Sequence, residues 1–473
     1  MGLMKQSVKI LLFSRTGLGL VLGALFLFGL NGATKESPNI LFILTDQHHA
    51  KMLSSAGNPY LKTRALDSIA ESGIRFTNAY VTNPVCMPSR LSMATGMMPG
   101  RLGVFNNGDK ATIPDHVSAN SLGSLMKNAG YATFYGGKTH LPTELDPRNA
   151  GYDEFFPGQR DKLPGACIEF MVKEREEPFF AVASFINPHD ICFAYNARQP
   201  DRKGMALVDR LYEEAQSLPE DQLPPLPENS GIPRQEPEAI EQNLKVDAVT
   251  PAKLIRKDYT DRDWRNYRWI YCRLTERVDA QIGQLLDGLR ENGLEENTLI
   301  VFTADHGDMD GSHRLASKNL FYEESAGVPF LMQYKGVVRP GVVDDSSLVS
   351  NGLDLLPTLC DYAGITIPDH LLGGSLRPLA EKGESSPPRP YVVAENNTGR
   401  MLRTSRFKYC VYRTGENRES LVDLEEDPGE MHNLAGNPEY KDVLNRHRKY
   451  LLEWIAESRD EDANSFVVLP TAH

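Results

Sequence analysis

Four apolar runs in the first two thirds of the chain constrain the fold more than any other feature of this sequence. They span residues 39–45, 131–135, 179–186 and 298–303. Each run is apolar at consecutive positions, which is typical of strands buried on both faces of a parallel sheet. A stretch with apolar residues at helical spacing, 274–289, precedes the last run. This alternation of strand and helix predicts an open α/β sheet with helices on both faces.

Each of the four runs is followed by polar residues that can take part in chemistry. These are Asp46 and Gln47 after the first run, Lys138 and His140 after the second, His189 after the third, and Asp305 and His306 after the fourth. In open α/β sheets, ligands bind beyond the carboxyl ends of the strands. We therefore predict that the functional site lies at this edge of the sheet.

The stretch 83–96 contains a cysteine, Cys86, at the start of a predicted helix. Pro88 suits the first helical turn, where its missing N–H costs nothing, and Arg90 follows Cys86 by about one turn. A helix N-terminus and a guanidinium beside one side chain form an anion site. Most free cysteines are small buried hydrophobes, so the segment alone favours a structural role. The polar strand ends favour a functional role.

The pairs Asp46-Gln47 and Asp305-His306 form a candidate metal site. Two carboxylates, an amide oxygen and an imidazole would coordinate a divalent cation if they converge. Mostly oxygen ligands favour Ca²⁺ or Mg²⁺, and the histidine nitrogen leaves Mn²⁺ open. Either pair alone would favour a helix cap, but both together favour a metal.

Cationic and proton-transferring side chains complete the candidate site. They are Arg90, Lys138, His140, His189 and Lys318, the last of which follows the fourth run. A cation-rich crevice beside a metal suits a tetrahedral oxyanion. The sequence therefore favours transfer of a sulfuryl or phosphoryl group.

The N-terminal segment 1–33 has the layout of a secretory signal. Three basic residues precede the apolar run 18–30, and small residues follow it. The run is short for a membrane span, although a retained anchor is the alternative, and no later run approaches spanning length. We expect a periplasmic or secreted protein without a membrane span in its mature chain.

Beyond the signal, the sequence predicts two parts. Residues 34–370 would form the catalytic domain, with a proline- and acid-rich insertion at 195–264 lying over the site. In residues 371–473 the sequence pattern changes to short strand-like segments followed by a final helix, which predicts a small α+β domain.

Charge and cysteine content narrow the function further. The full chain has a net charge of −12, and loss of segment 1–33, which has three basic and no acidic residues, leaves −15. Such an acidic protein is a poor candidate for nucleic-acid binding. The six cysteines are widely and irregularly spaced, so they predict no disulfide scaffold and leave pairing open.

The motifs together resemble those of the type I sulfatases, members of the alkaline phosphatase superfamily. The resemblance covers nearly all of the mature chain and rests on Cys86-x-Pro88-Ser89-Arg90 with Thr95-Gly96, the opening strand 38–47, Gly137-Lys138-Thr139-His140, Pro188-His189, and 303–318. The segment 421–430 matches in outline only, because Val422 stands where the family usually has tyrosine. The resemblance implies a large mixed sheet sandwiched by helices, with a small C-terminal domain.

The resemblance also implies a mechanism. A maturase that reads Cys-x-Pro-x-Arg would oxidise Cys86 to formylglycine, and one hydroxyl of its hydrate, bound to the metal and helped by Arg90, would attack sulfur. His189, aided by Lys318, would protonate the leaving sugar oxygen. His140, near Lys138, would deprotonate the second hydroxyl, so that sulfate leaves and the aldehyde returns.

Two departures from the family keep a second activity open. Many sulfatases have Asp-Asp at the position of Asp46-Gln47 and Asp-Asn at that of Asp305-His306. The variant pairs resemble those of phosphonate and phosphodiester hydrolases of the same superfamily, as well as those of some carbohydrate sulfatases. The export signal favours a sulfatase of glycosaminoglycan or algal polysaccharide. A non-catalytic carbohydrate-binding protein would lack catalytic positions, and none is missing here.

Overall fold

The four apolar runs form four adjacent parallel strands at the centre of an eight-stranded sheet. This computed structural model describes residues 37–158, 160–199, 205–244, 252–384, 389–460, 462 and 465–469. The strands are β1 Asn39–Asp46, β2 Ile74–Phe76, β3 Ala79–Tyr80, β4 Ala132–Gly137, β5 Glu154–Pro157, β6 Phe179–Pro188, β7 Thr298–Ala304, β8 Phe330–Gln333, β9 Val342–Asp344, β10 Val349–Ser350, β11 Val392–Glu395, β12 Gly399–Arg403, β13 Phe407–Tyr412 and β14 Glu419–Asp423. The large sheet has the order β5-β4-β6-β1-β7-β8-β2-β9. Its β8 runs antiparallel to both of its neighbours, which makes the sheet mixed. The predicted fold is confirmed.

Helices cover both faces of this sheet. They are α1 Arg64–Glu71, α2 Cys86–Thr95, α3 Asp115–Ser118, α4 Leu122–Asn128, α5 Leu163–Met171, α6 Ala194–Ala197, α7 Ala206–Ser217, α8 Glu238–Asn243, α9 Ala252–Asp258, α10 Asp261–Glu291, α11 Glu323–Ala326, α12 Asn351–Ala363, α13 Arg377–Lys382 and α14 Lys441–Ser458. Alternate residues of β1 point to opposite sides, as the two-residue period of a strand requires. Phe42 packs in the core with α12, and Ile43 packs in the core with α1, α5 and α10.

Helix α10 begins earlier than its apolar repeat indicates. Thr260 and Asp263 form a reciprocal capping box at its N-terminus, in which the Thr260 side chain accepts from Asp263 N–H. The first turns of α10 pack with α7 and α9 in a separate cluster around Trp264. The insertion 195–264 is therefore substantially helical in its described part. Arg265 donates to the Pro224 carbonyl, so the proline-rich stretch is held against the helix.

The C-terminal part contains a four-stranded antiparallel sheet of order β11-β12-β13-β14. Helix α14 packs on it through Leu451 and Trp454, which are buried with Tyr409 and Leu421. Residues 37–473 form one compact unit, and a domain boundary near 370 stays a prediction.

Three further predictions concern export, spanning segments and cysteines. The signal segment 1–33 lies outside the described residues. Within the described ranges, no helix combines the length and apolarity needed to cross a membrane. All six cysteines are buried in the described part, and none of them forms a disulfide there.

Candidate active site

The carboxyl ends of β1 and β7 meet the N-terminus of α2 at one buried point. Asp46 is the last residue of β1, and Asp305 and His306 directly follow β7. Cys86 is the first residue of α2. One ligand atom from each of these four residues lies within 4.8 Å of all the others, and all four side chains are buried. Four of the predicted residues therefore converge as expected.

Local backbone geometry brings Cys86 to this point. Val85 is extended at the N-cap of α2, and Gly96 ends the helix in the left-handed conformation, with φ 67°. A residue with a side chain would be strained there. At the N-terminus of α2, the Asn107 side-chain oxygen accepts from Met87 N–H at 3.0 Å, while its amide nitrogen lies 3.9 Å from Cys86 Sγ. The helix N-terminus and an amide thus face the cysteine.

The imidazole of His306 is oriented by its own backbone. Its Nδ1 lies 2.8 Å from the Gly307 carbonyl, which can only accept, so Nδ1 carries the proton. Its Nε2 faces Cys86 Sγ at 3.2 Å and Asp305 Oδ1 at 3.6 Å. Such a backbone hydrogen bond is the usual means of fixing a ligating histidine.

Arg90 joins the two carboxylates from behind. Its Nε donates to Asp305 Oδ2 at 2.7 Å, and Nη2 donates to Asp46 Oδ2 at 2.9 Å. Nη1 donates to the Lys138 carbonyl and to Ser184 Oγ. Burial lowers the pKa of Arg90, but the two carboxylates outweigh it and hold the pKa above its usual value. Arg90 therefore holds the acidic residues in place.

Two lysines flank the cysteine. Lys138 Nζ lies 2.5 Å from Asp46 Oδ2, and Lys318 Nζ lies 3.1 Å from Cys86 Sγ. Burial raises the pKa of Asp46, but Lys138, His189, Arg90 and Lys318 lower it well below its usual value. Burial and Asp46 raise the pKa of Cys86, but the lysines and His306 lower it well below its usual range. The site stabilises negative charge at both positions.

The two predicted proton-transfer histidines differ in their surroundings. His189 Nε2 lies 3.8 Å from Asp46 Oδ1, and the side chain is 24% exposed. Burial lowers its pKa, but Cys192 and Asp46 raise it, to about 10. His140 is half-buried, with φ 47°, and makes no hydrogen bond or ion pair with any described residue. The structure brings His189, but not His140, into contact with the cluster.

Gln47 lies beside the cluster with its amide held at both ends. Its Nε2 donates to Asp308 Oδ2 at 2.7 Å, and its Oε1 accepts from Lys318 Nζ at 3.1 Å. Cys192 Sγ also donates to Oε1, at 3.2 Å. Sequence reasoning did not single out Asp308, Asn107 or Cys192. Asp308 follows the same strand end as Asp305 and could have been noticed, whereas no sequence signal marks Asn107.

The donor set fits a divalent cation. Two carboxylates, an imidazole nitrogen and an amide oxygen are ligands that Ca²⁺, Mg²⁺ or Mn²⁺ accepts. Burial and Asp46 together raise the pKa of Asp305. Two carboxylates this close repel each other, and a cation between them would relieve the repulsion. Asp46, Gln47, Asp305 and His306 are therefore able to hold the ion.

Comparison with known proteins agrees with this geometry. A model of the family described as sulfatase matches residues 38–365, and one described as N-sulphoglucosamine sulphohydrolase, C-terminal, matches residues 311–457. The chain is 32% identical to a Delta 4,5-hexuronate-2-O-sulfatase of Bacteroides thetaiotaomicron, over 92% of each chain.

Solved structures extend the comparison. One described as a 2-O GAG sulfatase matches with a TM-score of 0.79 at 30% identity, covering 92% of this chain and 95% of that one. The phosphonate monoester hydrolase of Agrobacterium radiobacter matches with a TM-score of 0.71 at 23% identity, covering 89% of this chain and 96% of that one. The second likeness shows the fold alone.

Proposed function

Because the chain belongs to the sulfatase family of sulfuric ester hydrolases, we propose that it removes sulfate from sulfated carbohydrate outside the cytoplasm. The observation that carries the proposal is the position of Cys86 Sγ, 3.1 Å from Lys318 Nζ and 3.2 Å from His306 Nε2. A nucleophile here would stand between a cation and a metal ligand, where charge on a sulfuryl group can be neutralised.

Four residues would hold the divalent ion, most favourably Ca²⁺: Asp46, Gln47, Asp305 and His306. When bound, the ion would supply positive charge that polarises the sulfate ester and the nucleophile. Arg90 keeps both carboxylates in position through its two ion pairs. Its guanidinium also neutralises part of their charge, so the carboxylates can stay ionised close together.

Cys86 is proposed to be converted to formylglycine by a maturase. The hydrated aldehyde would supply the attacking hydroxyl, and Cys86 Sγ marks the place where this oxygen would stand. Lys318 would hydrogen-bond to the charged oxygens of the transferring group, and Lys138, bonded to Asp46, would add positive charge on the other side. Both lysines act by charge that is already in place before the reaction.

Proton transfer falls to the two histidines. His189 is the proposed general acid, because it lies at the cluster and still reaches solvent, where the sugar would enter. Its proton would pass to the oxygen that leaves from sulfur. His140 is the proposed base for release of sulfate. No described residue makes a hydrogen bond or ion pair with it.

We propose a 2-O-sulfated hexuronate as the first substrate to examine, because the relative with 32% identity is named for that activity. Export is proposed from the sequence of segment 1–33, and it would bring the enzyme to polysaccharide. The test is sulfate release from an unsaturated disaccharide sulfated at O2 of the hexuronate. The matched control is the same disaccharide sulfated only at O6 of the hexosamine.

A phosphonate or phosphodiester hydrolase is the second candidate. It is kept because the pairs Asp46-Gln47 and Asp305-His306 resemble those of such hydrolases. Rates on an aryl sulfate and on the matching aryl phosphonate separate the two. A higher kcat/KM on the sulfate supports the sulfatase, and a higher value on the phosphonate overturns it.

A further inference from the structure

A buried carboxylate, that of Asp308, lies directly behind Gln47. The side chain is fully buried, and donors surround both of its oxygens. Oδ2 accepts from Gln47 Nε2 at 2.7 Å and from Ser317 N–H at 3.1 Å. Oδ1 accepts from Asp310 N–H at 2.8 Å. Tyr267 OH lies 3.0 Å from Oδ1 and 2.9 Å from Oδ2. Asp308 thus acts as an acceptor for four separate groups.

The first consequence concerns the direction of the Gln47 amide. A glutamine amide has one accepting end and one donating end, and a carboxylate can bind only the donating end. Asp308 therefore holds Nε2, and Oε1 must face the opposite way, towards Lys318 Nζ at 3.1 Å. With the amide turned over, Nε2 would face the lysine ammonium, and two donors would meet.

The second consequence concerns the loop that carries Lys318. Ser317, the residue before it, has φ 73°, a conformation that costs free energy in a residue with a side chain. Its N–H is bound by Asp308 Oδ2, and its carbonyl accepts from Met309 N–H at 2.9 Å. One carboxylate thus fixes both the backbone next to Lys318 and the amide that Lys318 contacts.

We propose that Asp308 is a positioning residue, which keeps the Gln47 oxygen directed at the cation site and holds the Lys318 loop against it. The inference rests on the proposed function, in which Gln47 is a metal ligand and Lys318 contacts the reacting group. Asp308 itself touches neither substrate nor ion. Partners of this kind change metal affinity or activity by about 10–100-fold when they are replaced.

The test compares Asp308→Asn, Gln47→Glu and the double variant in the full-length protein. Asp308→Asn leaves one accepting oxygen for the donors of Gln47, Ser317 and Asp310, so at least one of them faces an N–H, and Ca²⁺ affinity should fall by about tenfold or more. Gln47→Glu places two carboxylates side by side, and their repulsion should also lower Ca²⁺ affinity. In the double variant, the asparagine N–H can donate to the glutamate, so Ca²⁺ affinity should return to the wild-type value or exceed it.

Sulfate release should behave differently from Ca²⁺ affinity in the double variant. The introduced asparagine would bind the introduced glutamate through its N–H, and Ser317 N–H would lose its acceptor. The turnover number should therefore stay below that of the wild type after Ca²⁺ affinity has recovered. This split between binding and turnover separates positioning from a loss of stability.

Titration calorimetry with Ca²⁺ alone is the primary readout, and Asp310→Asn is the matched control. Asp310 is buried on the same loop and binds Arg268, but makes no contact with Gln47 or Lys318. Asp310→Asn should leave Ca²⁺ affinity within about twofold of wild type. The inference is overturned if Asp308→Asn, like the control, binds Ca²⁺ as tightly as the wild type does. It is also overturned if the double variant binds Ca²⁺ no more tightly than Asp308→Asn. Wild-type sulfate release tests the proposed function separately, since it does not depend on these comparisons.

Discussion

The ammonium nitrogen of Lys318 lies 3.1 Å from the sulfur of Cys86, although 232 positions separate the two residues in the chain. The contact joins the N-terminus of α2 to the loop after β7. Burial lowers the pKa of Lys318, but Cys86, Cys192 and Asp46 raise it above its usual value, so the lysine is charged. A permanent cation beside the proposed nucleophile is the basis of the first prediction.

Lys318→Ala should reduce kcat on an aryl sulfate by about 10²–10³-fold, the usual effect of removing one preorganised donor. The proposed nucleophile would remain, but the charged oxygens of the transferring group would lose a partner. Steady-state kinetics measures the effect. Lys51→Ala is the matched control, since Lys51 is exposed and has no ion pair with a described residue. A decrease in kcat of less than about threefold in Lys318→Ala would contradict a role for Lys318 in the reaction.

His189→Ala should impair sugar sulfates far more than activated aryl sulfates. A sugar oxygen needs a proton as it leaves, and general acid catalysis contributes about 10²–10⁴-fold. A nitrophenyl oxygen leaves without one, so its rate should change little. The ratio of the two kcat/KM values in wild type and variant is the measurement. Equal losses on both substrates would contradict a general-acid role.

Arg90→Gln should destabilise the protein by about 3–5 kcal/mol, because it leaves two buried carboxylates without their shared partner. Ca²⁺ should recover part of this loss by taking over their charge. Urea unfolding with and without Ca²⁺ measures both effects. Arg148→Gln removes an exposed partner of Asp146 and should change stability little. An Arg90→Gln variant as stable as wild type would contradict the structural role.

Glu395 should make stability fall as the pH rises. Burial raises its pKa to about 7, against about 4.3 in an unfolded chain. Between these values the folded protein binds more protons than the unfolded chain, so the free energy of unfolding decreases with pH until about pH 7. Glu395→Gln lacks this titration. The variant should therefore gain stability relative to wild type as the pH is raised from about 5 to about 7 in urea unfolding, and a constant difference would refute the assignment.

The sequence was sufficient to predict the central sheet, because strands buried on both faces have a distinctive composition. It also identified the residues at the strand ends, since parallel strands bring their carboxyl ends to one edge. The helices in 195–264 were harder to foresee. Their apolar residues, such as Val208 and Ile255, are sparse, and they are stabilised by packing near Trp264 rather than by a long helical repeat.

Individual side-chain contacts lay beyond sequence reasoning. Asp308 acts through donors from distant segments, Tyr267 and Gln47 among them, and no local pattern encodes that arrangement. Arg90 was expected to face the nucleophile as part of an anion site, but its donors are directed at Asp46 and Asp305 instead.

The most direct measurement of the central claim relates sulfate release to the chemical state of Cys86. Preparations made with and without a co-expressed maturase would contain different fractions of aldehyde in the peptide 76–90, measured by mass spectrometry. We expect sulfate release from the 2-O-sulfated disaccharide to rise in proportion to the aldehyde fraction. Full activity in a preparation whose Cys86 is entirely a thiol would contradict it.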